Sequence, residues 1–489
     1  MQLHEPRATV PGTISGPDKV CLDLTLLLSD GIFLKIIKEL PQNPYPCSLV
    51  CRRWFRLQGL RRHSVKLKEW SFLESGQMIS RFPNLTDVDL TIACIPAPKN
   101  SAVWLTNQFL KIQLTPEVYD PQSIERFILE QQILPASLDK GLKILAQGCQ
   151  GLQRLCVVDS RKPVYGHVRA SHKPDMNGNT KEFDKEAFGL GLKQSAEENG
   201  IRILNTSDTG FAWIAKNCQM LQELELHQCT DESITAISSF KNLQILRLVG
   251  SIAEFYHFSF TDIGLTILGH NCKRLVKLEL SGCEASYDGV AAIGQCCLML
   301  EELTLIDQKF YEGWIAALSF CRNLKTLRLE SCRGIDPNPG PIEHLGFCPA
   351  LQRLQLVRCK LREDKVGFCA LVLICATVRE LEFQDCWGLD DEVFKLAINC
   401  RRVRSLSLEG CSLLSTSVLE TVLLGLKDLQ RLRVVSCNNI KDIEISSSLA
   451  SLFTTLKQLK WRPDTKSLLA SYLVGTEMGR KGGRFFKRP

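Results

Sequence analysis

The sequence lacks any segment that would place it in or across a membrane. No apolar stretch approaches the ~20 residues that a bilayer-spanning helix needs. The early apolar run at residues 20–28 is short and contains Asp23, so it does not have the pattern of a secretory signal. We therefore predict a protein of the nucleus, the cytoplasm or both, without a membrane partner.

The motifs of common enzyme classes are also missing. The sequence contains no phosphate-binding glycine-rich loop with a lysine, no H-E-x-x-H pair and no nucleophile elbow. Gly189 and Gly191 lack the strand and helix that a dinucleotide-binding turn requires. We therefore predict a protein that is not an enzyme and needs no cofactor.

Charge of one sign is in only slight excess. The formal net charge is +7 with 23% charged residues, and Lys and Arg are spread along the chain. A nucleic-acid-binding domain usually gathers its basic residues on one face or tail. We predict no nucleic-acid partner, and we interpret residues 466–489 as a basic C-terminal tail.

Cysteine is abundant, and its spacing reveals a repeat. Six cysteines are each followed eleven residues later by another, with apolar residues at offsets 3, 6 and 8. No zinc-type pairs of C-x-x-C motifs occur, so we predict no metal and interpret the cysteines as small buried side chains. The six pairs are Cys218 and Cys229, Cys272 and Cys283, Cys321 and Cys332, Cys348 and Cys359, Cys375 and Cys386, and Cys400 and Cys411.

The same apolar frame, L-x-x-L-x-L, also fits segments that lack one or both cysteines. Twelve repeats can be counted between Phe82 and Trp461, and from Cys272 to Leu426 they follow at intervals of 24 to 27 residues. The L-x-L end predicts a short strand with alternate side chains turned inward. The segments at residues 208–218 and 261–272 predict helices, because good N-cap residues precede helical apolar spacing.

This kernel is the signature of leucine-rich repeats, in which each repeat buries its apolar face against its neighbours. The fuller pattern resembles the cysteine-containing repeats of F-box proteins, and residues 261–265 (TDIGL) match its second half closely. The resemblance covers about residues 80–462. It implies an α/β fold: a right-handed leucine-rich-repeat solenoid, shaped as a horseshoe with a parallel sheet on its concave face.

Residues 23–62 do not fit the repeat and predict two short helices. The first, at residues 30–40, begins near Asp30 and ends before Pro41. The second, at residues 47–58, follows a proline-rich link. So small a module cannot bury every apolar face, and it therefore invites a partner.

The run SLVCRRW at residues 48–54, preceded by LLLSD at residues 26–30, resembles the F-box. In that family the box binds an SKP-type adaptor, which docks on a cullin scaffold. The resemblance thus implies a small all-α N-terminal F-box, although Leu28-Ser29 stands where many F-boxes have Leu-Pro. A helical cap on the solenoid is the alternative interpretation. Adaptor-binding or box-core roles are implied for Leu27, Leu28, Ile32, Ile36, Leu40, Pro41, Leu49, Val50, Cys51 and Trp54.

Three insertions interrupt the predicted solenoid at residues 63–465, near residues 94–138, 159–205 and 249–260, and residues 1–22 are predicted to be disordered. The first has room for a degenerate repeat as well as a loop, with a predicted strand at 109–114 and helix at 124–133. The second and third both follow a strand, so they should leave the sheet on the same rim. Loops on a rigid scaffold are common places for binding.

Offsets 5 and 7 of each repeat are predicted to lie on the concave face. Charge along this face changes from acidic, as at Asp87 and Glu223, to mixed and basic. A basic stretch suits an acidic or phosphorylated target segment, although each charge also fits an ordinary solvated side chain. The candidate substrate-binding residues are Arg328, Arg353, Arg431 and Arg433, with Tyr256 and Phe258 of the aromatic third insertion.

These features predict the substrate-recognition subunit of an SKP-cullin-F-box ubiquitin-ligase complex. The box would bind the adaptor, and the repeats would bind a target protein. A leucine-rich-repeat scaffold that never enters a ligase is one alternative. The hormone-receptor branch of the plant family implies another, a small-molecule-gated F-box receptor. The form of the box and of the repeats resembles plant members.

Overall fold

The computed structural model describes residues 27–39, 49–94, 134–159, 209–250, 260–307, 313–336, 338–339, 345–361 and 365–463. The chain divides into two compact parts, the N-terminal region (Met1–Arg62) and the repeat region (His63–Pro489). Among described residues the N-terminal region contains helices, and the repeat region combines strands with helices.

The N-terminal region contains α1 (Asp30–Glu39) and α2 (Arg52–Leu60). The second helix begins five residues later than predicted, because Cys51 has an extended backbone with φ −161° at the N-cap. Leu49 and Val50 therefore precede the helix. Their apolar spacing from Trp54 imitated a helical turn, and no strong N-cap residue marked the true start.

Within the described residues of the repeat region, thirteen parallel strands form one sheet, each beside the next in sequence order. Twelve of these strands coincide with the L-x-x-L-x-L segments that were predicted from the sequence. The additional strand, β1, was missed because Val65 within it and Leu67 just after it are too few alternating apolar residues to establish a period. The strands are β1 Ser64–Lys66, β2 Asp87–Asp89, β3 Arg154–Val158, β4 Glu223–His227, β5 Ile245–Val249, β6 Lys277–Ser281, β7 Glu302–Ile306, β8 Thr326–Glu330, β9 Arg353–Val357, β10 Glu380–Gln384, β11 Ser405–Glu409, β12 Arg431–Val435 and β13 Gln458–Arg462.

The strands pair so that equivalent leucines lie side by side. Leu278, Leu303 and Leu327 are in register on β6, β7 and β8, and all three are buried. The preceding residues, Lys277 and Glu302, are partly exposed on the opposite face. The alternation that the kernel predicts is therefore present, and the repeat region is an α/β solenoid of leucine-rich repeats.

The first predicted insertion adds no strand between β2 and β3. Val88 of β2 pairs directly with Leu155 of β3, although 66 positions separate them in the numbering. The predicted strand at 109–114 and helix at 124–133 lie outside the described residues. A degenerate repeat with its own strand between β2 and β3 is thus excluded by the register of this pair.

Helices and short 3₁₀ turns connect the strands, and several of the helices begin with the predicted type of cap. The hydroxyl of Thr261 accepts a hydrogen bond from the Ile263 backbone N–H at 3.2 Å, and Asp390 accepts one from Val393 at 2.9 Å. The helices are α3 Trp70–Glu74, α4 Gln77–Arg81, α5 Thr91–Cys94, α6 Pro135–Gly148, α7 Gly210–Asn217, α8 Asp231–Ile237, α9 Asp262–Asn271, α10 Tyr287–Cys296, α11 Trp314–Ala317, α12 Lys365–Ile374, α13 Asp391–Lys395, α14 Thr416–Gly425 and α15 Ser447–Thr455, with 3₁₀ turns at Leu318–Phe320, Leu396–Asn399 and Asp442–Glu444.

The T-D-x-G element connects one repeat to the next through an aspartate. Asp262, the first residue of α9, accepts hydrogen bonds from the Ser286 backbone N–H at 2.8 Å, the Ser286 hydroxyl at 2.5 Å and the Gly289 N–H at 3.0 Å. A Cβ on Gly289 would lie 2.3 Å from the Asp262 carboxylate. Asp262 thus satisfies free N–H groups at the start of the following helix, and only glycine at position 289 leaves room for its carboxylate.

The cysteines pack between neighbouring repeats. All those within the described residues are free thiols, and most are buried. The thiol of Cys359 donates to the Leu329 carbonyl at 3.4 Å, and that of Cys386 to the Leu356 carbonyl at 3.2 Å. Burial raises the pKa of Cys321 to about 12, so the thiol remains neutral. The cysteines therefore serve as compact side chains that also satisfy a carbonyl of the preceding repeat.

Candidate functional site

The N-terminal region has a very small core. Phe33 and Ile37 of α1 are buried with Leu57 of α2. Trp54 packs against them, with its ring edge-to-face on Phe33 at 4.6 Å between centroids. Trp54 was predicted as a box-core residue, but it is only partly buried. Three buried side chains are few for two helices, so the described residues of this region leave much of their apolar surface uncovered by one another.

An ionic cluster holds the start of α1 against α2. Asp30 accepts from Arg53 at 2.7 Å through one oxygen and from Arg56 at 2.6 Å through the other. The Arg53 guanidinium also lies 5.2 Å from the centroid of the Phe33 ring and donates to the Leu28 carbonyl. Because Arg53 is more shielded from solvent than Arg56, its pair contributes more to holding the helices.

Several large apolar side chains of this region remain exposed to solvent. On α1, Ile32 is 51% exposed and Ile36 is 42% exposed, whereas Ile37 is completely buried. Ile32 and Ile36 are four residues apart and so lie on one face of the helix. Exposed clusters of this kind mark binding sites. The exposed apolar set consists of Leu27, Ile32, Ile36, Leu49, Val50 and Phe55.

The predicted adaptor-binding residues divide into three groups. Phe55, a further member of the exposed apolar set, lies outside these groups because it was not predicted. It directly follows the SLVCRRW run, which ends at Trp54. Leu28 and Trp54 are partly buried against the small core, and Leu40 and Pro41 lie outside the described residues. The exposed ones are Leu27, Ile32, Ile36, Leu49, Val50 and Cys51.

The open face of the sheet, formed by the outward side chains of the strands, carries a network of ion pairs. Arg154 of β3 lies 3.3 Å from Glu223 and 3.8 Å from Glu225, both on β4. Arg247 of β5 pairs with Glu223 from the other side and lies 3.5 Å from Glu279 of β6. Neighbouring charges of opposite sign therefore compensate each other across consecutive strands.

The four predicted substrate-binding arginines belong to this network. Arg328 pairs with Glu330 at 2.8 Å, and Arg433 pairs with Glu409. Arg353 and Arg431 hold the same carboxylate, that of Glu380, at 2.5 and 2.9 Å. An incoming anion would have to compete with a glutamate at each position, so the positive charge of this stretch is largely compensated. Tyr256 and Phe258 lie outside the described residues.

The strands that precede the second and third insertions end on one edge of the sheet. Val158 of β3 and Val249 of β5 both lie in register with His227 of β4. Two strand spacings, about 10 Å, separate the two departure points. The insertions themselves fall outside the described residues, so the geometry concerns only where they leave the sheet.

Comparison with known proteins finds a similar plant protein. The chain is 26% identical over 220 residues to the F-box protein MAX2 homolog A of Petunia hybrida, a match that covers 42% of this chain and 28% of that protein. The chain is thus similar over part of its length to a plant F-box protein, and its own strands form a leucine-rich-repeat sheet. The match spans under a third of the relative's length, and no protein-family model matches the sequence.

The similarity of this chain to solved structures is low. A leucine-rich-repeat protein of Leptospira interrogans is 19% identical, with a TM-score of 0.33 over 51% of this chain and 62% of that one. The Rad7–Elc1 complex of yeast gives 16% identity and a TM-score of 0.34 over 65% and 70%. With scores this low, the fold assignment rests on the strand order and register of the chain itself.

Two other kinds of site are absent from the described residues. Among these residues no three side chains of the metal-binding types converge on one point. No helix there is both long and apolar enough to cross a bilayer. The exposed apolar set and the charged surfaces of the repeats therefore remain the candidate sites.

Proposed function

We propose that this chain is the substrate-recognition subunit of an SKP-cullin-F-box ubiquitin ligase. In this proposal the exposed apolar set binds the SKP-type adaptor, and the repeat region holds a target protein. One observation carries it: α1 buries Phe33 and Ile37 but leaves Ile32 and Ile36 in solvent. Covering such side chains with a partner gains about 25 cal/mol per Å² of apolar area.

In this role the chain would position the target protein and would not itself catalyse the transfer of ubiquitin. A conjugating enzyme at the far end of the cullin would transfer ubiquitin to a target lysine, and holding both partners in one complex makes the transfer effectively intramolecular. Every partner in this scheme is a protein of the cytoplasm or nucleus, and that location belongs to the proposal.

The helix α1 itself should organise the contact. Asp30 and Arg53 hold the amino-terminal end of α1 on α2, and the Phe33–Trp54 contact fixes its roll about its axis. Ile32 and Ile36 are thereby presented on a preformed face, which lowers the entropic cost of binding. The partner would need a shallow apolar groove for two isoleucine side chains one helical turn apart.

Calorimetric titration of the full chain with a purified SKP-type adaptor tests the proposal. We expect tight binding by the wild type and at least a tenfold loss with Ile32→Ala/Ile36→Ala, since truncated interface anchors cost about 1–2 kcal/mol each. Ile443→Ala is the matched control, because Ile443 is an exposed isoleucine of the repeat region.

Binding by the double variant equal to that of the wild type would show that α1 is not the adaptor-binding helix. Absence of binding by a folded wild-type chain would overturn the ligase proposal and favour a leucine-rich-repeat scaffold. Far-ultraviolet circular dichroism on each variant separates loss of binding from loss of fold.

A further inference from the structure

The turns that lead into the strands form one long edge of the repeat region. From β5 to β13 the residue before each strand is hydrogen-bonded through its N–H to the equivalent residue of the preceding repeat. Lys325, for example, donates to the Glu301 carbonyl at 2.8 Å, and Arg404 to the Arg379 carbonyl at 2.8 Å. The nine turns are therefore in register, about 4.8 Å apart, and the edge runs for roughly 38 Å.

This edge gathers positive charge that is spread widely along the sequence. The nine turns contain eleven Lys and Arg side chains, all of them exposed, and two carboxylates, Glu301 and Asp428. Their balance of +9 exceeds the formal charge of +7 that the whole chain carries. The basic edge denotes these eleven residues: Lys241, Lys273, Arg274, Arg322, Lys325, Arg379, Arg401, Arg402, Arg404, Lys427 and Lys457.

Most cations of the basic edge have no acidic partner. Lys325 pairs with Glu301 at 2.6 Å. Among the described residues, no carboxylate oxygen lies within 4.0 Å of the charged nitrogens of the other ten side chains. On the open face of the sheet, by contrast, Arg328, Arg353 and Arg433 each lie beside a glutamate. The basic edge therefore presents its charge to solvent.

Large apolar side chains project from the middle of the same edge. Leu298 and Met299, in the turn into β7, are 61% and 52% exposed, and Phe347, in the turn into β9, is 61% exposed. The side-chain amide of Asn323 donates to the Leu298 carbonyl at 2.7 Å and so holds the first of these turns in place. The turn between them carries the exposed Arg322. Apolar and cationic side chains thus alternate over about 10 Å.

Part of this positive charge has an ordinary structural reason. The turns follow the carboxyl-terminal ends of helices, where the helix dipole favours cations, and helices begin at the opposite edge with carboxylates such as Asp262 and Asp391. The dipole gives no reason to expose Leu298, Met299 and Phe347, since apolar side chains are favourably buried. Exposed apolar side chains among unpaired cations therefore indicate a binding surface.

We propose that the basic edge, together with Leu298, Met299 and Phe347, binds the surface of a membrane rich in anionic lipids. This inference is independent of the proposed function. The negative potential of such a surface attracts basic side chains, and each one near the surface strengthens binding roughly fivefold. Apolar side chains at the same level enter the boundary between headgroups and acyl chains, and binding of this kind needs no spanning helix.

A nucleic acid fits the same edge less well. Its phosphates would meet the cations, but Leu298 and Met299 would lie against phosphates and sugars without an apolar partner. A single strand calls for several aromatic side chains on which bases stack, and Phe347 is the one exposed aromatic residue of the nine turns, all of which are described. An anionic bilayer, in contrast, uses both the cations and the apolar side chains of the edge.

Sedimentation of the full chain with lipid vesicles tests the inference. The probe is vesicles of phosphatidylcholine and phosphatidylserine at about 3:1, and vesicles of phosphatidylcholine alone are the reference. We expect the wild type to partition at least about tenfold more strongly into the anionic vesicles. This preference should weaken as the salt concentration rises, because salt screens exposed charges.

Two variants separate the contributions of charge and apolar contact. Arg401→Gln/Arg402→Gln/Arg404→Gln should weaken binding to the anionic vesicles by at least about tenfold. Leu298→Ser/Met299→Ser should weaken it by about fivefold or more, because the side chains that enter the lipid boundary are lost. Both apolar residues are more than half exposed, so the fold should tolerate the change, and circular dichroism checks this.

Each variant has a matched control outside the basic edge. Lys68→Gln/Lys360→Gln/Lys395→Gln removes three exposed cations that do not lie in the turns leading into strands. Leu413→Ser/Ile443→Ser removes two exposed apolar side chains that follow strands and so lie on the opposite side of the sheet. Both controls should bind the anionic vesicles within about twofold of the wild type.

Equal partition into both kinds of vesicle would overturn the inference. So would an equal loss in the charge control, which would show a response to net charge alone, or full binding by Leu298→Ser/Met299→Ser. Stronger binding to a duplex oligonucleotide or to polyglutamate than to the anionic vesicles would also overturn it. Adaptor titration of the same preparations keeps the two proposals apart: adaptor binding without vesicle binding contradicts this inference only, and vesicle binding without adaptor binding contradicts the ligase role only.

Discussion

The N-terminal region and the repeat region differ in how far their apolar side chains are buried. In the repeat region Leu381, Leu406 and Leu432 lie in register on consecutive strands and are buried by one another and by the helices behind them. Among the described residues of the N-terminal region, the buried apolar side chains are Phe33, Ile37 and Leu57, and the exposed apolar set is not covered by the others. A repeated element finds its partner in the next repeat, whereas two isolated helices must find theirs in another protein.

The largest predicted effect concerns the core of the repeat region. Phe383 lies between Phe368 and Phe394, with ring centroids 6.1 and 6.0 Å away. Phe383→Ala should lower the free energy of unfolding by about 3–5 kcal/mol, because the cavity cannot close between stacked repeats. Urea unfolding followed by circular dichroism measures this, with the exposed Phe55→Ala as the control. A loss below about 1 kcal/mol would mean that neighbouring repeats relax into the cavity.

The next effect divides the two faces of α1. Ile37→Ala should destabilise the N-terminal region by about 2–5 kcal/mol, since Ile37 is fully buried in a core with few members. Ile36→Ala, one residue away and exposed, should change its stability by no more than about 0.5 kcal/mol. Hydrogen exchange of the α1 amides reports this local stability. Equal effects of Ile37→Ala and Ile36→Ala would show that α1 does not have one buried face and one exposed face.

A smaller effect is expected from the aspartate that connects repeats. Asp262→Ala would leave the N–H groups of Ser286 and Gly289 without their acceptor, at a cost of about 1–3 kcal/mol. Asp428→Ala, an exposed aspartate in a turn, is the control. Thermal unfolding of both variants is the measurement, and a difference within error would show that water replaces the carboxylate.

The reactivity of the cysteines should also differ between the two regions, and this difference can be measured without any substitution. Burial raises the pKa of Cys272 to about 11 and that of Cys321 to about 12, so at pH 8 the thiolate fraction is ~1 in 1,000 or lower. Iodoacetamide should therefore modify the exposed Cys51 and spare the buried cysteines of the repeats. Mass spectrometry of the native protein would reveal the order of labelling, and early modification of Cys321 would contradict the packing role.

The same pKa shifts predict how stability depends on pH. An unfolded thiol releases its proton near pH 9, whereas folded Cys321 retains it to about pH 12. Between these values the folded chain binds more protons than the unfolded one, so the free energy of unfolding falls as pH rises. Below pH 9 both states are protonated and this contribution is constant. Urea midpoints measured from pH 8 to 10 should decline, with a shallower slope in Cys321→Ala.

The repeat kernels were predictable because their information is local. The spacing of Leu275, Leu278 and Leu280 recurs in every repeat, and a period seen twelve times leaves little freedom for another fold. By contrast, β1 is not preceded by the L-x-x-L-x-L spacing, so no repeat pattern indicated it. The start of α2 was misplaced because the cap at Cys51 is a backbone conformation that its side chain does not signal.

The candidate sites were less accessible to sequence reasoning. The partner of Arg431 is Glu380, 51 residues earlier, and no local pattern connects them. Phe55 was overlooked because exposure depends on which side of α2 packs against Phe33. Likewise Arg379, Arg404 and Lys457 are separated by long intervals of sequence and come onto one edge of the sheet only through strand register.

The sequence by itself determined the repeat, the class of fold and the resemblance of the first helices to an F-box, because apolar spacing within one element dictates which side must be buried. Only the tertiary structure decided which charges are compensated and which remain free. Arg353 and Arg404 look alike along the chain, yet one meets a glutamate on the next strand and the other projects from an edge. Electrostatic pairing depends on distances between repeats, and those distances exist only after the repeats have stacked.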